Sequence, residues 1–127
     1  MKHFLKIACI ILCATSVLSC RTKTQATTIS KVNRVDLRAD VIGKEVQFVD
    51  VRTPEEYEAG HIDDAVNYNI IDSEIFIKQI ASLDKTAPVY LYCKMGGRSS
   101  RAAELLKEKG FTQIFDYSGG YNDWVSQ

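Results

Sequence analysis

The sequence has no excess charge of either sign, no long apolar run, and little histidine or cysteine. Lys+Arg and Asp+Glu number 16 each, and no basic block or acidic tail occurs, so nothing points to a nucleic-acid partner. Only two histidines are present, and one of them, His3, lies in the amino-terminal segment. With so few nitrogen and thiol ligands, no metal site is expected. The 127 residues, without a visible internal repeat, correspond to one globular domain.

The first twenty residues, MKHFLKIACIILCATSVLSC, are typical of an export signal. Lys2 and Lys6 give a basic start, and the apolar run over residues 7–18 is shorter than the roughly 20 residues that a transmembrane helix needs. "VLSC" resembles a bacterial lipobox, which implies cleavage after residue 19 and lipidation of Cys20. We therefore predict a signal peptide over 1–19 and an exported, membrane-anchored bacterial lipoprotein that faces the periplasm. The alternative is an uncleaved amino-terminal anchor, with Cys20 an incidental thiol.

On the lipoprotein interpretation, one free thiol remains in the mature chain. Cys9 and Cys13 leave with the signal peptide, and lipid occupies Cys20. Cys93 is then alone, which excludes an internal disulfide framework and the Cys-x-x-Cys pair of a dithiol oxidoreductase.

The remaining chain alternates between strand and helix patterns. Residues 20–34 are polar and rich in Thr and Lys, which predicts a lipidated cysteine followed by a flexible tether, and residues 35–127 form the domain. Alternation of this kind predicts an α/β fold, a single domain with a mainly parallel central sheet flanked by helices. Helices are predicted over 35–43, 53–60, 73–83, 99–110 and near 120–124, and strands over 46–51, 65–70, 88–93 and 112–117.

The helix over 53–60 has both ends marked by its sequence. Thr53 is the predicted N-cap, Pro54 occupies the first helical position, and Gly60 follows the end. Glu56, three residues after the cap, is explained as the partner in a capping box.

Cys93 lies at the junction between a strand and a helix. The apolar strand ends at this residue, "KMGG" must turn sharply, and a helix beginning near Ser99 directs its free backbone N–H groups toward the sulfur. Lys94 and Arg98 add positive charge. The alternative for Lys94 is a solvated surface charge, and the alternative for Arg98 is a structural ion pair. These features predict a lowered Cys93 pKa and a nucleophilic thiolate. The alternative is a small apolar cysteine that ends a buried strand.

Several motifs, in order, resemble those of the rhodanese-like sulfurtransferases. "CKMGGRS" over 93–99 resembles the active-site loop of that family, and "VDVRTPEEYEAGHI" over 49–62 resembles its Asp-x-Arg, Glu-Tyr and Gly-His-Ile signature. "AVN" and the closing "GGYNDW" complete the series. The resemblance covers residues 35–124 and departs at Asp63 and Asp64, where the family usually has Pro-Gly, so the local turn and surface charge are expected to differ.

The resemblance implies a sulfurtransferase. Cys93 takes a sulfur from a small anionic donor such as thiosulfate, holds it as a persulfide, and passes it to a thiol or cyanide acceptor, without any cofactor beyond that covalent intermediate. Lys94 and Arg98 are expected to attract the donor, and Arg98 also to stiffen the loop. The backbone amides of the active-site loop are expected to hold the persulfide charge. The loop consists of Lys94, Met95, Gly96, Gly97, Arg98 and Ser99.

Other marked residues are interpreted as structural support. Asp50 and Arg52 are expected to brace the loop by hydrogen bonds, and His61 to make a structural hydrogen bond rather than act as a general base. Tyr121 and Trp124 are expected to pack the end of the domain.

Two other functions remain open at this stage. A cysteine phosphatase or arsenate reductase also places a thiolate in a loop that ends in arginine, but those enzymes use Cys-x5-Arg, whereas four residues separate Cys93 from Arg98. A rhodanese-like module that carries sulfur or binds a protein without catalysis is the second alternative. The sequence motifs predict no particular oligomeric state.

Overall fold

The structure is a computed structural model that describes residues 25–126. The predicted signal peptide and the predicted lipidation site, Cys20, lie outside the described residues. No helix of residues 25–126 is long and apolar enough to cross a membrane. In chain order, the elements are β1 (Thr28–Val32), α1 (Arg34–Asp40), β2 (Gln47–Asp50), α2 (Pro54–Ala59), β3 (Val66–Asn67), α3 (Ser73–Ile80), β4 (Val89–Tyr92), α4 (Gly97–Glu108), β5 (Gln113–Tyr117) and α5 (Gly120–Val125).

The described strands form one five-stranded sheet in the order β1-β5-β4-β2-β3. Every pairing is parallel, with Gln47 of β2 opposite Val89 of β4 and Val89 opposite Ile114 of β5. The predicted α/β fold is confirmed, and the sheet is wholly parallel within the described range. β4 is the central strand, so its carboxyl end lies in the middle of the edge where α/β proteins bind ligands.

Helices cover both faces of the sheet, and each face has its own core. All four residues of β4 are buried, with Val89 and Leu91 in one cluster and Tyr90 and Tyr92 in the other. This pattern is expected for a central parallel strand, because helices pack against both of its faces. The first cluster includes Phe76 and Ile80 of α3 and Ala102, Ala103 and Leu106 of α4; the second includes Leu37 of α1, with Tyr121 and Trp124 of α5 packed against it.

The tether prediction is wrong for Thr28–Val32. These residues form β1, which runs parallel to β5 from the Thr28–Gln113 pair to the Val32–Tyr117 pair. Ile29 packs against one core cluster and Val32 against the other. Two apolar side chains in a polar segment are a weak local signal, and the main-chain bonds to β5 that fix the strand are not visible in the sequence. The folded unit therefore begins before residue 35.

Asn33, also assigned to the tether, caps the first helix. Its side chain accepts a hydrogen bond from the Asp36 amide at 3.0 Å, while the Asp36 carboxylate accepts one from the Asn33 amide at 3.2 Å. This reciprocal capping box starts α1 directly after β1.

Two predicted boundaries near the site also change. The strand predicted over 65–70 is reduced to Val66–Asn67, and α4 begins at Gly97, two residues earlier than expected. The earlier start places the first turn of α4 closer to Cys93 along the chain.

Candidate active site

Cys93 follows the last residue of β4 and is 1% exposed. The Gly96 amide donates a hydrogen bond to Sγ at 3.0 Å, and Sγ lies 3.5 Å from the Ser99 hydroxyl. That hydroxyl is also 3.3 Å from the Gly96 carbonyl oxygen, to which it can donate when the sulfur is a thiol. When the sulfur is ionised, rotation of the hydroxyl directs its proton to the thiolate. The pocket can therefore accommodate both protonation states of Cys93.

The surroundings of Cys93 favour the thiolate. Burial raises the pKa of the thiol. Hydrogen bonds from the Ser99 side chain and from the amides of Ser99, Gly96 and Met95 lower the pKa by a larger amount. The net pKa of Cys93 is therefore below its ordinary value. The direction agrees with the prediction. The contribution of the Ser99 hydroxyl was not predicted, since only backbone amides were expected to donate hydrogen bonds to the thiolate. Ser99 lies in the first turn of α4, but the sequence does not define the direction of its hydroxyl.

The Ser99 contribution can be tested by substitution. Ser99→Ala removes the hydroxyl and leaves the amides, so the apparent pKa for iodoacetamide alkylation of Cys93 should rise, and alkylation near neutral pH should slow. In the wild type the alkylation rate should fall as the pH drops through the lowered Cys93 pKa. Ser100→Ala, at the exposed neighbouring position, is the matched control and should leave the profile unchanged. Equal profiles for all three proteins would contradict the role of the hydroxyl.

The amino terminus of α5 fixes the orientation of the loop. The Tyr121 amide donates to the Cys93 carbonyl oxygen at 2.8 Å, and the Asn122 amide donates to the Lys94 carbonyl oxygen at 3.1 Å. In a trans peptide the N–H points opposite to the C=O, so these bonds turn the amides of Lys94 and Met95 away from α5. This arrangement explains how amides that follow the cysteine become available to its sulfur.

Two glycines allow this close packing. A Cβ on Gly120 would lie 2.5 Å from the Lys94 oxygen and 2.6 Å from the Cys93 oxygen. Gly96 has φ of +98°, and a Cβ there would lie 2.5 Å from the Ser118 oxygen. By contrast, a Cβ on Gly97 would meet nothing within 4 Å. Of the two loop glycines, Gly96 is therefore the one that the turn requires.

Asp50 and Arg52, the residues predicted to brace the loop, form a buried ion pair. Both are buried, and the Arg52 guanidinium donates to Asp50 at 2.7 and 3.0 Å and to the Gly60 carbonyl oxygen at 2.7 Å. The guanidinium also lies 4.2 Å from the centre of the Tyr121 ring. Since the Tyr121 amide donates to the Cys93 carbonyl oxygen, Tyr121 contacts both this ion pair and the Cys93 loop.

Arg98 makes an ion pair, which was the alternative to its donor-binding role, and the partner is Glu56. Its Nη1 and Nη2 donate to the two carboxylate oxygens of Glu56 at 2.6 and 3.0 Å. This bidentate contact is the main cause that lowers the Glu56 pKa to about 2. Glu56 also completes the predicted capping box with Thr53. The capping interpretation of Glu56 was therefore correct but incomplete, because the partner lies 42 residues away.

The remaining predicted site residues lie at the surface. Lys94 is exposed, and Met95 is 73% exposed at the tip of the loop. His61 stacks on Tyr57 at 3.9 Å between ring centres, and its Nδ1 lies 3.1 Å from the Tyr57 carbonyl oxygen. These contacts agree with a structural role for His61.

At the departure from the family pattern, Asp63 has φ of +48°. Its carboxylate accepts a hydrogen bond from the Gly43 amide at 3.2 Å. Aspartate tolerates this left-handed backbone better than most residues, so the turn forms without a glycine.

Residues 33–127 match the rhodanese-like domain family. The chain belongs to that family. The parallel sheet of the described residues, with helices on both faces, agrees with this membership. The predicted family membership is confirmed, and the folded unit extends a few residues upstream of the matched range to include β1.

The chain is similar in sequence to proteins that include a thiosulfate sulfurtransferase. The chain is 38% identical to the thiosulfate sulfurtransferase GlpE of Shewanella oneidensis over 81 residues, which is 64% of this chain and 77% of that protein. It is 41% identical to YqhL of Bacillus subtilis, also over 81 residues, and the match spans 64% of this chain and 62% of YqhL. Among solved structures, a rhodanese-like domain protein of Staphylococcus aureus is similar with a TM-score of 0.67 and 27% identity, covering 77% of this chain and 93% of that one.

Proposed function

We propose that this rhodanese-like domain is a sulfurtransferase that moves a sulfane sulfur from a donor to a thiol or cyanide acceptor through a persulfide on Cys93. The observation that carries the proposal is the environment of the Cys93 sulfur. The sulfur is buried, yet it accepts a hydrogen bond from the Gly96 amide and lies next to the Ser99 hydroxyl. These donors hold a negative charge in place, as a nucleophile and a persulfide anion both require. The similarity to GlpE, a thiosulfate sulfurtransferase, supports the same reaction class.

In the first half-reaction the Cys93 thiolate attacks the outer sulfur of the donor. With thiosulfate, a new S–S bond forms to Cys93, the original S–S bond breaks, and sulfite leaves with the electron pair. The terminal sulfur of the persulfide then carries the negative charge that the thiolate carried before. In the second half-reaction the acceptor thiolate or cyanide attacks that terminal sulfur, and the Cys93 thiolate leaves. Protein donors near the sulfur remain in place throughout, so little reorganisation accompanies the transfer.

Intact mass after incubation with thiosulfate tests the proposal. The purified domain should gain the mass of one sulfur atom, and a thiol or cyanide should remove it. If no sulfur is gained and an aryl phosphate is hydrolysed instead, the phosphatase alternative replaces this one. Rapid turnover with both small substrates would separate an enzyme from a dedicated sulfur carrier, which would load sulfur but release it only to its own partner.

We also propose that Cys20 carries a lipid that anchors the domain to a membrane facing the periplasm. Support comes from the sequence alone, namely the export signal followed by "VLSC". Cys20→Ala, expressed as the full chain, should lose incorporation of labelled fatty acid and move from the membrane fraction to the supernatant. Cys13→Ala, inside the predicted signal, is the control and should change neither. Equal membrane retention of the Cys20 variant would contradict the proposal.

A further inference from the structure

The cation expected to bind an anionic donor is neutralised by its own neighbour. Both terminal nitrogens of Arg98 donate to the Glu56 carboxylate, and the two side chains are 24% and 29% exposed. Arg98 directly precedes Ser99, whose hydroxyl faces the Cys93 sulfur. The Arg98 pKa is raised by its hydrogen bond to Glu56 and also by the charge on Cys93. The ion pair is therefore within electrostatic range of the Cys93 sulfur, and it remains partly exposed to solvent.

The pair remains ionised at neutral pH, and its net charge is zero. The Glu56 carboxylate is held by Arg98 and also accepts a hydrogen bond from the Thr53 hydroxyl at 3.1 Å. The Glu56 carboxylate oxygens thus accept hydrogen bonds from the start of α2 and from Arg98. A donor anion that approached Arg98 would also approach this carboxylate. The repulsion between such an anion and the Glu56 carboxylate, both in contact with Arg98, remains substantial even near a protein surface.

We infer that Glu56, through its ion pair with Arg98, determines donor specificity by disfavouring a doubly charged donor relative to one with a single negative charge or none. The inference rests on the proposed sulfurtransferase function. The donor class that this site accepts best is then a sulfane sulfur with little charge on its leaving group, such as the persulfide of a thiol. Thiosulfate, a dianion, is a poorer fit.

Two donors that differ by one charge isolate this effect. Thiosulfate transfers its outer sulfur and releases sulfite, a dianion. Methanethiosulfonate, a monoanion, transfers its outer sulfur and releases methanesulfinate, a monoanion. In both reactions the S–S bond of the donor breaks, the leaving group takes the electron pair, and Cys93 becomes a persulfide anion, so charge balances in each case.

Glu56→Gln is the variant that tests the inference. Glutamine has the same shape and can complete the capping box, so α2 should still begin at Pro54. The ratio of kcat/KM for thiosulfate to kcat/KM for methanethiosulfonate should rise roughly fivefold to tenfold, because one negative charge near the donor is removed. Glu55→Gln is the matched control. It removes the same charge from the same helical turn at an exposed position, and its ratio should change little.

Arg98→Gln gives a second measurement in the opposite direction. It leaves Glu56 without its cation, so the ratio should fall below that of the wild type. A general loosening of the loop would lower the rates with both donors and would not move the ratio. An unchanged ratio in Glu56→Gln and in Arg98→Gln, with a wild type that forms the persulfide, would overturn this inference alone. If the wild type forms no persulfide with either donor, the proposed function fails, and this inference fails with it.

Discussion

Cys93→Ser is expected to abolish sulfur transfer and persulfide formation while the fold is retained. The serine hydroxyl fits the space of the buried thiol, but it is not ionised near neutral pH and has no sulfur lone pair to offer. The loss should reach the background rate, a decrease of roughly 10³-fold or more. The assay is transfer from thiosulfate to cyanide, with intact mass as the direct record of the persulfide.

The control for this variant is its stability. Cys93 accepts from Gly96 and contacts Ser99, and serine can keep both partners, so circular dichroism and the thermal midpoint should resemble those of the wild type. A folded Cys93→Ser protein that still gained sulfur would place the nucleophile elsewhere.

Gly96→Ala is expected to lower both stability and sulfur transfer. Alanine at φ of +98° is strained, and its Cβ would lie 2.5 Å from the Ser118 carbonyl oxygen, which belongs to backbone and cannot rotate away. Strain and overpacking together should cost about 2–5 kcal/mol in the free energy of unfolding. Because the Gly96 amide donates to the Cys93 sulfur, movement of the loop should also raise the apparent pKa of Cys93. Chemical denaturation and iodoacetamide alkylation measure the two effects separately.

Gly97→Ala is the matched control for that experiment. The substitution is the same, the residue is adjacent, and a Cβ would meet nothing within 4 Å. Gly97 is also the first residue of α4, where alanine is favourable. Stability should be unchanged or slightly higher. Equal destabilisation by both substitutions would show that the loss of stability is not specific to the left-handed turn at Gly96.

Features that depend on neighbours in the chain could be predicted from the sequence. Thr53, Pro54 and Glu56 mark the start of α2 because a capping box spans only three residues. The loop was likewise predicted from the strand that ends at Cys93 and from the glycines that follow. The same local pattern predicted that the pKa of the thiol is lowered. Both the α/β fold and the position of Cys93 directly after the central strand follow from such local patterns.

Features that depend on distant partners could not be predicted. The ion pair between Glu56 and Arg98 joins two elements 42 residues apart. An ion pair was one interpretation of Arg98, but the local capping role of Glu56 gave no sign that Glu56 was the partner. β1 depends on main-chain bonds to β5, which composition does not reveal. The role of Ser99 depends on a side-chain direction that only the packed helix defines.

The topology also determines the order in which the site can be assembled. β5 fills the space between β1 and β4, so a nascent chain that ends before Gln113 cannot join its first strand to the rest of the sheet. The amides that hold the carbonyls of Cys93 and Lys94 come later still, from Tyr121 and Asn122. Contacts of such long sequence separation form slowly because the intervening chain must first be closed into a loop. Cys93 is thus synthesised well before the residues that hold the carbonyls of its loop, and the arrangement around its sulfur is complete only when α5 has docked.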